Sequence, residues 1–509
     1  MKFFIFWIGA LTVLGAGASP MAAQEEPGPQ VFGEVIDVRV VNVETVVTNE
    51  KGELARGLKA EDFRLLVDGK EVPVEYFSEI AEGAAAAAGG AEGAVSSQVG
   101  KGEEVGRSYL VLIDDSFSVA STRDELLARI ARDLSAMKPG DEMAVLAFDG
   151  AEIDVLCPWS RNRATVETAL AGAKKRPAHG HQLLAQFRSK EADNETAIEG
   201  ALNAGLEGGE VAELVAMLNS RVSPEVRGRL GKTAQAAAAA LRGFEAPPGR
   251  KVLLFLTAGW AMSEAPHLYG PMIDAANRLG YTVYPVDAAS SDAQGMKVLD
   301  GIATRTGGKV ASTARMDVLR QVAADTSSYY WLGFTPAWKA DESRHEVEIE
   351  VKRAGFKTRS RAGFSDLSRQ AEAKLKAESA LLFGAPEEEK RLIVQLGQPK
   401  KAGRRQIEVP VTVGVPVSSL ALTPEGSGYL AEAPLAVAAV DTKGGRSELP
   451  TAKLQVRVKD VPRGGGYARF QTTVKLRDAD QRLVFTVHDP VHGTVLWGEA
   501  TVHPRGMTR

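Results

Sequence analysis

Leu110-Val111-Leu112-Ile113-Asp114-Asp115-Ser116-Phe117-Ser118 is a run of four large apolar residues that ends in the pattern D-x-S-x-S. Four such residues in a row predict a strand buried on both faces, as in a parallel sheet covered by helices on each side. The acidic and hydroxyl side chains that follow then lie in the loop at the C-terminal end of the strand, where open α/β sheets bind ligands. Asp114, Ser116 and Ser118 are hard oxygen donors at alternate positions, a set that suits Mg²⁺, Mn²⁺ or Ca²⁺ and no soft metal. The loop is a candidate cation site.

Outward from this run, residues 107–306 alternate strand and helix patterns. Thr122-x-x-Glu125 has the spacing of a capping box, and Leu127, Ile130, Leu134 and Met137 follow on one helical face. Strands are predicted at 143–148, 153–156, 252–257 and 281–286, with helices at 163–173, 272–279, 298–306 and 316–325. This alternation predicts an α/β fold with a doubly wound, mostly parallel sheet over 107–327. The stretch 174–250 interrupts it and reads as a loop followed by helices at 211–218 and 224–244. The second of these is rich in alanine and short of apolar area, so it is expected to project from or lie across the sheet as a spacer.

The flanks read differently. Lys2, the apolar stretch 3–14 and a small-residue site at Ala16-Gly17-Ala18 or Met21-Ala22-Ala23 have the form of a secretory signal peptide over 1–23, which predicts a secreted or periplasmic protein. No later stretch is apolar enough to cross a membrane as a helix. Residues 31–80 predict a small β module with a hairpin through Asp68-Gly69. Residues 81–106 hold almost no large apolar side chain and read as a flexible linker. β character returns at 328–365, where orphan strands need a partner sheet and are expected to pair with the N-terminal module. A charged linker helix is predicted at 366–384 and a β-sandwich at 385–509.

Composition excludes some functions. The 509 residues are 44% hydrophobic and 25% charged with a formal charge of -4, so no general attraction to nucleic acid is expected. Cys157, the single cysteine, excludes an intramolecular disulfide and reads as a core residue. His179-Gly180-His181 lacks further metal-binding partners and reads as a polar loop. No hydrolase or phosphate-loop motif occurs, and no histidine is placed by sequence to activate Ser116.

The strand, the D-x-S-x-S loop and the alternating helices resemble a von Willebrand factor type A domain with a metal-ion-dependent adhesion site. The resemblance implies a metal held by Asp114, Ser116 and Ser118 of the first loop and by Thr196, which would open a helix in the stretch Asn194-Glu195-Thr196-Ala197-Ile198. Where the family has Thr-Asp-Gly, this chain has Thr257-Ala258-Gly259, so a carboxylate is missing and cation affinity is expected to be weakened. Asp115, Asp149 and Glu264 stand in neighbouring loops. The ordered segments VVNVETVVTNEKGELARGLKAEDFRLLVDGKEVPVEYFS, SYLVLIDDSFSV, YYWLGFTP and HEVEIEVKRAGFKTRSRAGF, over about 35–365, are similar to the acidobacterial-type VWFA-related domain of secreted proteins. That family implies an exported binding module without an assigned reaction.

The resulting expectation is a secreted, non-enzymatic, adhesion-type module. A divalent cation (Mg²⁺, Mn²⁺ or Ca²⁺) would leave a coordination position for an acidic side chain of a protein partner, with Phe117 and Trp260 as aromatic anchors beside it. A metal-independent structural scaffold of the cell envelope is the alternative. An exported hydrolase is the third.

Overall fold

A computed structural model describes residues 40–86, 102–211, 213, 224–244, 246, 247, 249–260, 266–291, 293–311, 317–383, 392–441, 446–448, 451–460, 466–489, 491 and 494–504. The signal-peptide reading of 1–23, the middle of the linker reading of 81–106, most of the helix read at 211–218, and Glu264 lie outside the described residues.

The strand Arg107–Asp114 is buried at every position and forms the middle of a five-stranded sheet. The order across this sheet is Tyr281–Asp287, Arg250–Thr257, Arg107–Asp114, Glu142–Phe148, Ile153–Ser160. The first four strands run parallel and the last antiparallel. Alternate side chains of the middle strand serve two cores. Tyr109, Val111 and Ile113 pack with residues of the helices Ala120–Arg132, Arg163–Ala173 and Val318–Asp325. Leu110 and Leu112 pack with those of Pro224–Gly243, Gly270–Leu279 and Ala293–Arg305. Helices on both faces explain why the strand is apolar without alternation. The helix Ala120–Arg132 begins earlier than the capping-box spacing suggests: Val119 is its N-cap, Thr122 lies inside it, and Glu125 pairs with Arg129 on the next turn.

The insertion departs further from expectation. A helix spans Gly180–Asn203, where the sequence predicts a loop with a helix opening only at Thr196. Periodicity reports burial, and this helix buries little: its large buried side chains, among those described, are Leu183 and Leu184. The absence of proline and its many Leu, Ala, Gln, Lys and Glu residues supply helix propensity instead. The alanine-rich helix Pro224–Gly243 is no projecting spacer. Ala234 and Ala236 to Ala240 are buried against the sheet, and the helix packs on Gly270–Leu279 and on Arg369–Phe383. Small side chains add little area singly but permit close approach of backbones, which a count of apolar area misses.

The β segments before and after the α/β unit join each other. Val41–Asn49 pairs antiparallel with Tyr329–Phe334 and Phe356–Arg359, and Phe63–Val67 pairs with Arg344–Val351. Their apolar faces share one core that includes Val43, Phe63, Leu65, Tyr330 and Ile349. Asp68 and Gly69 turn the Phe63–Val67 hairpin with φ of 51° and 73°, the left-handed pair of a tight hairpin turn. The ends of the linker segment are pinned, the Ala85 N–H donating to the Glu103 carbonyl and the Ala85 carbonyl accepting from the Gly102 N–H.

Buried ions fasten the β unit to the base of the central sheet. Arg250, 1% exposed, pairs with Glu44 at 3.0 Å and stacks over the Tyr329 ring. Arg361 donates to the backbone carbonyls of Asn42 and Asn277. Toward the C-terminus, two antiparallel sheets enclose a core of Val409, Val411, Leu435, Leu483 and Phe485. The helix Arg369–Phe383 covers the outside of one of them, setting Ala377, Ala380 and Leu381 on Val484 and Trp497.

Glu44→Gln would leave Arg250 buried without its counter-charge. Urea denaturation of this variant is expected to show a loss of about 3 kcal/mol; a loss within about 0.5 kcal/mol, the range of ordinary surface substitutions, would contradict a fastening role.

Candidate functional site at the D-x-S-x-S loop

The middle strand delivers its terminal carboxylate into the interior. Asp114, Ser116 and Ser118 are 1%, 1% and 0% exposed. The Asp114 carboxylate accepts from the Ser116 N–H at 3.1 Å and from the Thr257 hydroxyl at 2.9 Å. The Ser118 hydroxyl donates to the Asp114 carbonyl oxygen. Burial pushes the Asp114 carboxyl up to about 7, against the pull of the Thr257 and Ser116 hydrogen bonds. The Tyr269 hydroxyl is raised by its own burial and by the Asp114 charge. Ser116 Oγ and the Tyr269 hydroxyl are both buried with no hydrogen-bond partner.

Asp115 is neutralised separately. Its two oxygens take Arg123 and Arg176, each at 2.7 Å, and Arg176 also reaches Asp154 at 2.7 Å. The chain after Arg176 then passes directly over the loop. His179 N–H donates to the Asp115 carbonyl at 2.8 Å and Gly180 N–H to the Ser118 carbonyl at 3.0 Å. A Cβ on Gly180 would lie 1.9 Å from the Phe117 carbonyl oxygen, so only glycine admits this approach. His179 and His181 thus mark the start of the insertion helix, not a loop. Phe117 and Trp260 are buried with their rings edge-on at 5.9 Å, so they pack beneath the loop and are not exposed anchors.

Thr196 is not brought to Asp114. It lies on the exposed side of the insertion helix, its hydroxyl donating to Ala192 O at 2.9 Å. From Gly180, which touches the loop, to Thr196 the helix climbs roughly 24 Å at about 1.5 Å per residue. The family threonine opens its helix, whereas this helix opens at Gly180. Ala258 is fully buried and offers no donor. Thr257, one residue earlier, is the residue that engages Asp114. Asp149 accepts the N–H groups of Ala151 and Glu152 in its own turn, so it does not replace the missing acid.

These residues do not fit a divalent ion held in the adhesion-site manner. Such ions take six or more oxygens, several from carboxylates or water. Of the expected donors, Asp114, Ser116 and Ser118 converge; both Asp114 oxygens are engaged, and Ser116 Oγ is the free one. Among the described residues no group of three or more His, Cys, Asp or Glu side chains is placed to hold a metal.

The chain matches no family model and no curated protein. Solved structures similar to it include von Willebrand A domains. A von Willebrand factor type A protein from Catenulispora acidiphila shares 11% identity over 87% of this chain and 72% of its own, with a TM-score of 0.24. The SpRpn10 VWA domain shares 10% identity over 38% of this chain and 94% of its own, with a TM-score of 0.18. The PilB minor pilin from Streptococcus sanguinis shares 10% identity over 57% of this chain and 87% of its own, with a TM-score of 0.25.

Because the folded Asp114 carboxyl is held above its ordinary value of 3.8, the fold favours its protonated form. The stability this contributes is complete below about pH 4 and is lost as pH rises through about 7. Asp114→Asn is neutral throughout. In chelator, thermal melts are expected to show the wild type losing stability relative to this variant between these limits, with the variant the more stable at pH 8. Parallel profiles for the two proteins would contradict a buried, strained carboxylate.

Proposed function

We propose that the chain is an exported, adhesion-type protein-binding module whose von Willebrand A-like core, doubly wound and joined to a C-terminal β-sandwich, is a metal-independent scaffold. The observation that carries this reading is the closure of the D-x-S-x-S loop by His179 and Gly180. An adhesion-type metal must leave one coordination position open to the partner's carboxylate, and here backbone from the insertion occupies the loop's outer face. The partner-facing surface is assigned to the insertion helix Gly180–Asn203. Beyond Leu184 its described side chains are exposed or half-buried, and Leu202 is 56% exposed. A long helix that buries little within its own chain has a face free for a partner.

One observation favours a second reading, in which a divalent cation binds when the loop opens. Ser116 Oγ and the Tyr269 hydroxyl are buried, unpartnered and beside Asp114, and such groups are costly without an occupant.

Calorimetric titration of the chelator-treated protein with Mg²⁺, Mn²⁺ and Ca²⁺ separates the two. The scaffold reading expects no saturable heat and no rise in melting temperature at millimolar cation. Saturable binding that Asp114→Asn abolishes would overturn it and establish the second reading.

A further inference from the structure

Far from the D-x-S-x-S loop in sequence, three side chains of the β unit form a connected chain. Ser343 Oγ lies 3.1 Å from His345 Nε2, and His345 Nδ1 lies 2.7 Å from Asp68 Oδ2. We propose that Ser343, His345 and Asp68 are a nucleophile, a general base and its orienting acid, and that they hydrolyse activated carboxylic esters.

The protonation pattern is set by the partners. The hydrogen bond from His345 is the leading cause that holds the Asp68 carboxyl below the usual range, so Asp68 is an acceptor and Nδ1 carries the proton. Nε2 is then left as the acceptor for the Ser343 hydroxyl, which is the arrangement nucleophilic serine chemistry requires. The imidazole is fixed on three sides. Its ring stacks on Phe364 with centroids 5.0 Å apart, and Phe364 in turn meets Trp338 and Phe334 edge-on. Asp68 is anchored in its hairpin turn by the Glu346 N–H at 2.9 Å. Side-chain exposure is 21% for His345 and 49% for Asp68, so the group is open to small molecules.

The serine sits on a strained loop. Ala340 and Glu342, neither of them glycine, have φ of 55° and 63°. The buried carboxylate of Asp366 holds this conformation, accepting the N–H groups of Lys339 and Ala340, while its backbone carbonyl takes the Glu342 N–H. Left-handed backbone at such residues persists only where the surroundings enforce it, and it concentrates at functional sites. Glu342 also lines a cleft of about 670 Å³ whose walls include Leu367, Ala371, Pro434 and Ala436.

The groups around Ser343 set the substrate class. The Glu342 and Ser343 N–H groups are committed to Asp366 and Asp341, and the Ser343 hydroxyl is also within reach of the Asp341 carboxylate. With these two N–H groups taken, stabilisation of a developing oxyanion is weak, and the substrate class is esters with good leaving groups, such as aryl esters. Ser343 Oγ attacks the carbonyl carbon as its proton passes to His345 Nε2; the C–O bond to the leaving group breaks, and His345 returns the proton to it. Water then attacks the acyl-serine, His345 accepts the water proton and delivers it to Ser343 Oγ, and the carboxylic acid departs.

The full chain is assayed with p-nitrophenyl butyrate and with a fluorophosphonate probe, the labelled peptide being located by mass spectrometry. Labelling at Ser343 is expected, with an ester-hydrolysis rate that falls about 100-fold in Ser343→Ala and in His345→Asn. Unchanged melting temperatures of these partly exposed variants show that folding is intact. A Ser343→Ala rate equal to wild type, or labelling only at other residues, would overturn the assignment.

Discussion

A strand sealed between two helical layers carries whatever follows it into the protein interior, and here two carboxylates follow. Leu110 to Ile113 are buried on both sides of the sheet, so Asp114 and Asp115 begin their loop without solvent. Each is compensated differently. Asp115 is paired with Arg123 and Arg176, which in turn fixes the stretch that leads to Gly180. Asp114 is met by neutral donors, the Thr257 hydroxyl and the Ser116 and Phe117 N–H groups, which do not offset its burial, so its carboxyl is raised. Closure of the loop is thus coupled to the ion pairs of Asp115, because Arg176 lies three residues before His179.

The same logic operates at the opposite end of the sheet. Arg107 and Arg250 start neighbouring parallel strands and are both buried, and each is answered by an acid: Asp141 within the α/β unit, Glu44 from the β unit. The β strands that precede and follow the α/β unit in sequence therefore close on one another at its base. This fixes the hairpin carrying Asp68 against the strand carrying His345, residues separated by most of the chain.

What could be read from the sequence was what burial imprints on it. The parallel strands and the helices that cover them were legible because each has a face in the core and hence a period. The Gly180–Asn203 helix was not, since beyond Leu183 and Leu184 its described side chains lie outside the core and leave no periodic mark; that error also misplaced Thr196 at a helix start. The alanine-rich helix was misjudged for the converse reason, since its packing rests on small size. At the candidate site, Asp114, Ser116 and Ser118 were visible as a motif and the missing acid at Ala258 was visible beside them. Thr257, although adjacent, gave no signal that it would take the place of a metal. Gly180 gave none either, because close backbone approach is a tertiary fact. Ser343 and His345 stand two apart, the serine in the loop just before the strand Arg344–Val351 that carries the histidine, and without Asp68 from a distant turn the pair carries no signal.

Closure of the D-x-S-x-S loop is the claim on which the scaffold reading stands, and hydrogen exchange at the loop amides tests it most directly. The Ser116 and Ser118 N–H groups are bonded to the Asp114 carboxylate and carbonyl beneath the insertion backbone. Their exchange should be slow and the same in chelator as in millimolar Mg²⁺ or Mn²⁺. Fast exchange in chelator that slows when cation is added would mean that the loop is open and ordered by metal, and would contradict the account.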